Sequence, residues 1–467
     1  MPTTDALHSS SSTSHPRYDV YKDSGVEWLG EIPSEWNTTT VKWLSEISYG
    51  LSQPPAKKED GIPFVRATDI SEGSISSEKI VRVNPEDLPD DLNVILREGD
   101  ILVVRSGAYT GDSALVGQDF EGGVAGYDMI VRTTKEVVPE YLSYFFLSTP
   151  FKKQVRITNG RTAQAHLNAE ELGRFEVTVP TLEEQRAIAA YLDRETERID
   201  ALIEKKEQLI DLLEEKRNSL ISRVVTKGLD DDVEMKDSGV EWLGEIPAGW
   251  DVVRLKFLTE VQSGIAKGKR YGDDVETVEL PYLRVANVQE GFLNLDEISE
   301  IEVAVDEVDR YLLQAGDVLM TEGGDYDKLG RGTVWTGNIE PCLHQNHIFA
   351  VRPHSIESEW VALITQAQYA KHFFIMQSVQ STNLASISRS SLQDLPVVVP
   401  PPGSRQVILD HVDRETERID ALIDKIETAI DRLKEYRTAL ISAAVTGQID
   451  VRDAMTEQEG RQNFTYK

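Results

Sequence analysis

Asp23-Ser-Gly-Val-Glu-Trp-Leu-Gly-Glu-Ile-Pro33 returns without a change as Asp237-Ser-Gly-Val-Glu-Trp-Leu-Gly-Glu-Ile-Pro247, 214 residues later (237 − 23). In both copies a tryptophan follows three residues after the proline, Trp36 and Trp250. A second identity closes each copy: Asp193-Arg-Glu-Thr-Glu-Arg-Ile-Asp-Ala-Leu-Ile203 reappears as Asp413 to Ile423, 220 residues on (413 − 193). Between the blocks lie weaker echoes, Ile62-Pro-Phe-Val-Arg66 with Leu280-Pro-Tyr-Leu-Arg284, and Gly99-Asp-Ile-Leu102 with Gly316-Asp-Val-Leu319. The ends of the halves are nearly identical and the middles have diverged. A period this long exceeds that of a solenoid unit, so the repeat is a duplicated two-part module. Two copies in one chain predict pseudo-two-fold symmetry.

Working outward, each half divides into a globular part and a long helix. The globular parts, 18–180 and 237–400, read as β-rich. Val41 to Ile47, Ile101 to Val104, Val177 to Val179 and Val397 to Val399 are short apolar or β-branched runs punctuated by Gly, Asp and Pro. Pro139 to Leu147 and Glu359 to Phe373 read as short helices between them. The helical parts occupy 181–236, including a linker, and 401–447. Thr181-Leu-Glu-Glu184 is a capping box. Apolar residues follow at Leu192, Ile199, Leu202 and Leu213, and Gly228 is a left-handed stop. In the second copy Val412, Ile419, Ile426, Leu433 and Leu440 fall seven apart. Leu422, Ala429, Tyr436 and Ala443 fill the second row of a heptad seam, and Gly447 ends it. A helix of ~45 residues spans ~65 Å. Two of them, paired antiparallel, would hold the globular parts at opposite ends. The fold class is therefore α+β: two β-rich domains joined by two long antiparallel coiled-coil helices. The Ser-rich stretch 1–17 reads as a disordered tail, and 448–467 as a polar one.

Composition narrows the function classes. No stretch approaches the ~18–20 apolar residues of a membrane span. Cys342 is the one cysteine, which excludes an internal disulfide and a cysteine zinc cage, and points to a cytoplasmic location. The formal charge is −31, with Arg more frequent than Lys. Nucleic-acid binders ordinarily carry a basic patch. Two arrangements reconcile such acidity with DNA binding. Charge can be segregated between acidic outer faces and a basic inner face, or the protein can work in concentrated salt, where screening lengths shrink to about 3 Å.

The opening block, with Val41-Lys-Trp-Leu44 or Leu255-Lys-Phe-Leu258 after it, and the close Glu184-Gln185-Arg-Ala-Ile188 then Leu192-Asp193, resemble the specificity subunits of type I restriction-modification enzymes. The resemblance covers residues 18 to 447, with both motifs in order and twice. The second half departs from it where Ser404-Arg405 stand in place of Glu184-Gln185, which reads as drift at the helix start. The resemblance implies that each variable domain reads one half of a split double-stranded DNA site. It also implies that the paired helices set the gap and dock two modification subunits, the adenine methyltransferases. Motor-nuclease subunits would add ATP-driven translocation and cleavage. The chain itself would hold no cofactor; S-adenosylmethionine, ATP and Mg would belong to its partners.

A search for catalysis finds little. Gly264-Ile-Ala-Lys-Gly-Lys-Arg270 is one residue short of a phosphate loop and lacks the Ser/Thr after Lys. His344 and His347 stand three apart with no acidic or cysteine partner at ligand spacing. No Asn-Pro-Pro-aromatic motif of an adenine methyltransferase occurs, Asn84-Pro85 being followed by Glu86. DNA contacts are expected instead from polar, Gly-rich loops. In the first half these carry Arg105, Ser106, Tyr109 and Thr110, then Arg161, Thr162 and Gln164. In the second they carry Lys267, Lys269, Arg270 and Tyr271, then Lys328 and Arg331, then Gln380, Thr382 and Asn383. Arg pairs bidentately with guanine, and Asn or Gln with adenine. The competing readings are a coiled-coil scaffold with two protein-binding domains and an enzyme such as a stand-alone nuclease, against which the missing acid-metal constellation argues.

Overall fold

The computed structural model describes residues 16–89, 92–160, 165–324, 328–381 and 384–452. The chain forms two compact units, residues 1–206 with 428–467, and residues 207–427. Each long helix therefore gives its first part to one unit and its last part to the other.

The identical opening block is a hairpin in both units. Tyr21–Asp23 pairs antiparallel with Glu31–Pro33, and Met235–Asp237 with Glu245–Pro247. Its turn is held by its own polar side chains: the amides of Gly25 and Gly239 donate to Asp23 and Asp237 Oδ1, each at 2.9 Å. The buried face, Ile32 and Trp36 or Ile246 and Trp250, seats the end of a long helix. Gly447 lies against Pro33 and Trp36, and Gly228 against Trp250. Both glycines have positive φ, +71° and +78°, the left-handed C-cap expected of a helix stop.

In the first unit a four-stranded sheet comprises β1 (Ser45–Tyr49), β2 (Ile101–Val103), β3 (Ser113–Leu115) and β4 (Met129–Thr133), in the antiparallel order β3-β2-β4-β1. A smaller sheet joins Val124–Ala125 parallel, and Val81–Val83 antiparallel, to Lys57–Val65. Asn37–Thr40 pairs with Glu176–Val179. From there α1 (Leu182–Lys227) leaves the unit. The second unit repeats this topology with β5 (Thr259–Ser263), β6 (Val318–Thr321), β7 (Gly332–Val334) and β8 (Ile348–Pro353), ordered β7-β6-β8-β5. It ends in α2 (Pro402–Val445). A carboxylate before β2 and before β6 ties each sheet from inside. Asp100 holds Arg132 of β4 in a two-pronged pair, and Asp317 holds Arg352 of β8 in the same way. No described helix is long and apolar enough to cross a membrane.

Two local expectations change. Val41–Leu44 is a helical turn ahead of β1, because Val41 and Leu44 bury one face at helical spacing while Trp43 points out. The Glu359–Phe373 helix is two helices, Ser358–Gln366 and Gln368–Gln377, broken at Ala367.

The capping box forms: the Glu184 amide donates to Thr181 Oγ1 (3.3 Å) and Thr181 N to Glu184 Oε2 (3.2 Å). The Ser404-Arg405 departure is compensated. Gln185 accepts from the Val138 amide and donates to the Pro180 carbonyl. Arg405, also buried, donates to the Pro400 carbonyl and forks onto Glu357 at 2.6 and 3.2 Å. A charged pair replaces a neutral one, so more changes here than local capping.

Within each unit the early part of one long helix packs against the late part of the other, so the segments run antiparallel. In the first unit Ile188, Leu192 and Ile199 share a core with Leu440, Ile441 and Ala444. In the second, Ile221 and Val224 share one with Ile408 and Val412. The sheltered positions of α1 run Leu192, Thr196, Ile199, Ile203, Lys206, Ile210, Leu213, Arg217, Leu220, Val224, alternating by four and three. On α2 they run Val412, Thr416, Ile419, Ile423, Ile426, Ile430, Leu433, Arg437, Leu440, Ala444. This is a heptad seam. Leu192, Ile199, Leu213, Val412, Ile419, Ile426 and Leu433 lie in it. Leu202 and Leu422, 46% and 43% exposed, do not. The second row sits four residues after the first, at Ile203 and Ile423, and not three. The arginines of the seam turn to carboxylates on the opposite helix: Arg437 to Asp200 (2.9 Å) in the first unit, Arg217 to Asp420 (3.0 Å) in the second.

Candidate nucleic-acid interface

β2 delivers the chain into the loop Arg105–Thr110. The Arg105 guanidinium packs on two tyrosine rings, 4.1 Å from the centre of Tyr127 and 4.7 Å from that of Tyr49. Its Nη2 donates to His166 Nε2 at 3.0 Å, and its amide to Asp128 Oδ1 at 3.3 Å. Burial raises the Asp128 carboxyl above the usual carboxylate range, opposed by the Arg105 amide and guanidinium. The Leu167 amide donates to the Arg105 carbonyl, the Gly107 amide to Ala165 O, and Thr110 Oγ1 to Gly107 O and Ala165 O. The two loops predicted in the first half thus meet. Ser106 and Tyr109 are exposed on them. Arg161, Thr162 and Gln164 lie outside the described residues.

The second unit has the same frame with different side chains. Gly111 N to Val104 O and Val104 N to Asp112 O become Gly330 N to Thr321 O and Thr321 N to Arg331 O. Leu167 N to Arg105 O becomes Ile387 N to Glu322 O. Glu322 therefore stands where Arg105 stands. His347 Nδ1 lies 2.7 Å from Glu322 Oε2, and Asn346 Nδ2 is 3.4 Å from His347 Nε2. Gly323–Gly324 pairs with Leu384–Ser386, which also pairs with Val379–Ser381, so the loop after β6 meets the hairpin carrying Gln380. Lys328 and Gln380 are exposed there, and Arg331 Nη1 donates to Gln289 Oε1 at 3.3 Å. Thr382 and Asn383 lie outside the described residues.

The loop Lys267–Tyr271 is tied elsewhere. Lys269 Nζ contacts Glu307 Oε1 at 2.6 Å and the Tyr271 hydroxyl donates to Glu307 Oε2 at 3.0 Å. Glu307 thus neutralises the loop's central cation, while Lys267 and Arg270 stay exposed. Tyr49, Tyr127, His166 and Glu322 were missed by the sequence reading, which weighed His347 only as a metal ligand. One signal was available: Tyr49-Gly50 matches Ser263-Gly264, and a Cβ on either glycine would come 2.0 Å from a carbonyl oxygen, Gly126 O or His344 O.

His344 and His347 do not converge. His344 is fully buried, its Nδ1 donating to Tyr311 O at 3.1 Å, whereas His347 faces Glu322. Among the described residues no three His, Cys, Asp or Glu cluster as metal ligands. Burial pushes the His344 imidazole down to about 4. The unfolded chain titrates it near 6.5, so the fold favours its neutral form. Its contribution is complete above about pH 6.5 and fades as pH falls toward 4. Denaturant unfolding at pH 7 and 4.5 should show wild type losing about 2 kcal/mol more than His344→Gln.

Residues 33–212 match the family model of the type I restriction modification DNA specificity domain. The EcoKI specificity subunit of Escherichia coli (strain K12) is 22% identical over 443 residues, 90% of each chain. The StySPI specificity subunit of Salmonella potsdam is 21% identical over 434 residues, again 90% of each. A chain solved in work on complex assembly and conformational transition of the type I R-M system has the same fold, with TM-score 0.66 at 16% identity, over 90% of this chain and 99% of that one. The chain thus carries a segment that matches the type I restriction modification DNA specificity domain, and over nine-tenths of its length it is similar in sequence to two specificity subunits of type I restriction enzymes and in fold to a chain from such a system.

Proposed function

We propose that this chain supplies the DNA sequence specificity of a type I restriction-modification complex, each unit reading one half of a bipartite site. The observation that carries this is a repeated frame with unlike loops. Hairpin, sheet order, ion pair and helix seam recur, while the side chains at the loop ends after β2 and β6 differ. A protein that reads two different half-sites needs a constant support and variable readers. In this reading the chain is not catalytic. Two modification subunits bring S-adenosylmethionine and methylate adenine, and motor-nuclease subunits bring ATP and Mg for cleavage.

The test is to express the chain with its modification subunit in a methylation-free host and to map modified bases. The expected result is a split adenine-methylated motif with a fixed gap, one half of which changes when residues 18–180 are exchanged. An assembled complex that methylates without sequence preference, in dilute buffer and in ~1 M salt, would overturn the reading.

Leu202 and Leu422 occupy the same position of the closing block and are exposed beside the seam. We assign them to the docking face for modification subunits. Leu202→Asp with Leu422→Asp is expected to weaken assembly about tenfold or more, read by sedimentation, while leaving the chain's own unfolding midpoint in place.

A further inference from the structure

The ends of β2 and β6 hold side chains of opposite charge in one backbone frame. Where the two units need the same structural part, they keep it: Asp100 with Arg132 and Asp317 with Arg352 are one pair made twice. At the next turn of the same strands the chemistry inverts. Arg105, caged by Tyr49, Tyr127 and His166, is replaced by Glu322 beside His347. Support of the sheet does not explain an inversion, since the backbone hydrogen bonds on both sides of it are unchanged.

The geometry of Arg105 is that of a poised donor. Two tyrosine rings within 4.7 Å of the guanidinium carbon restrict its plane, and the Nη2 contact to His166 fixes its rotation. Among the described residues Nη1 has no hydrogen-bond partner. Tyr49 and Tyr127 are 40% and 52% exposed, so the cage opens to the surface. A planar fork held in advance loses little freedom on binding. Glu322 is the converse. His347 takes Oε2, and Oε1 has no partner among the described residues, which leaves an acceptor whose position is set by its neighbour.

We propose, resting on the DNA-reading function above, that these two positions are specificity-determining base readers. Arg105 donates to the acceptor edge of a guanine in one half-site. Glu322 accepts from an exocyclic amino group, of cytosine or adenine, in the other. Tyr49, Tyr127, His166 and His347 are positioning residues that fix the two readers.

The experiment uses the chain assembled with its modification subunits and duplexes carrying the mapped wild-type motif, with each base pair replaced in turn. Arg105→Lys keeps the charge and loses the fork. It should keep affinity for unrelated DNA and remove roughly ten- to hundredfold discrimination at one base pair of one half-site. Glu322→Gln should do so at one base pair of the other half, each variant leaving the opposite half unaffected. Tyr127→Ala should weaken the same discrimination as Arg105→Lys, and Tyr127→Phe should restore it. Equal weakening on every duplex by Arg105→Lys would make Arg105 a phosphate contact and overturn the proposal. So would a mapped split motif whose base preferences survive both Arg105→Lys and Glu322→Gln. A wild-type complex with no base preference would overturn the DNA-reading function itself, a different result from either.

Discussion

Trp36→Ala is expected to destabilise the first unit by about 3–5 kcal/mol. The indole is fully buried and three separate stretches of chain converge on it. Tyr18 meets it edge-on at 5.6 Å, Gly447 at the end of α2 lies against its ring, and its Nε1 donates to Glu184 Oε1 at 3.2 Å at the start of α1. Alanine opens a cavity at the junction of both long helices and takes a donor from a buried carboxylate. Trp36→Phe separates the two losses, since it keeps most of the volume and none of the hydrogen bond. Denaturant unfolding should place Trp36→Phe well between wild type and Trp36→Ala. Hydrogen exchange should localise the loss to residues 1–206 and 428–452. A loss under 1 kcal/mol for Trp36→Ala would mean that the helix ends are held by something other than this contact.

Asp100→Ala is expected to cost a similar amount, about 3–5 kcal/mol, for an electrostatic reason. Asp100 is 2% exposed and accepts from Arg132 Nε (2.8 Å), Arg132 Nη2 (2.7 Å) and the Arg97 amide (2.9 Å). Its removal strands a guanidinium that is 19% exposed and, among the described residues, keeps the Ile95 carbonyl at 3.2 Å as a hydrogen-bond partner and Glu46 across the strand pair as a more distant carboxylate. The cost comes from the uncompensated charge more than from the lost attraction. Asp100→Ala with Arg132→Met should therefore recover most of the stability. The equivalent Asp317→Ala should cost less, because Arg352 is 31% exposed and water can reach it. Unfolding midpoints of the three variants check this ordering. Equal losses at Asp100 and Asp317, or no recovery in the double variant, would contradict it.

Much of this fold is legible in the sequence because its determinants are local. The capping box needs only Thr181 and Glu184, and the helix stops need only Gly228 and Gly447. The duplication is written as identical blocks. The seam is legible only in part: apolar residues occur side by side at Leu202-Ile203 and Leu422-Ile423, so periodicity alone leaves the second row open. The reading site is legible least. Arg105 stands out in its Gly-rich loop, but Tyr49 and Tyr127 reach it because β2 lies beside β4, and β4 beside β1. Strand order is a property of the whole unit, and no window around Arg105 contains it. Glu322 escapes notice for a related reason. Acidic side chains seldom enter a search for DNA contacts, and only superposing the two frames shows that it occupies the arginine's place.

The first unit is assembled from two separate stretches of chain. Asp450 donates its amide to the Pro16 carbonyl at 2.7 Å, the Tyr21 hydroxyl donates to Gly447 O, and Arg452 lies over the Tyr18 ring. In the second unit the same junction, from Gly228 to Met235, is one continuous peptide. The two modules thus meet at two like junctions, one held by hydrogen bonds and a ring contact and the other by continuous peptide. Moving the opening to 229–234, with a short linker joining 452 to 16, should yield a permuted chain with the same contacts.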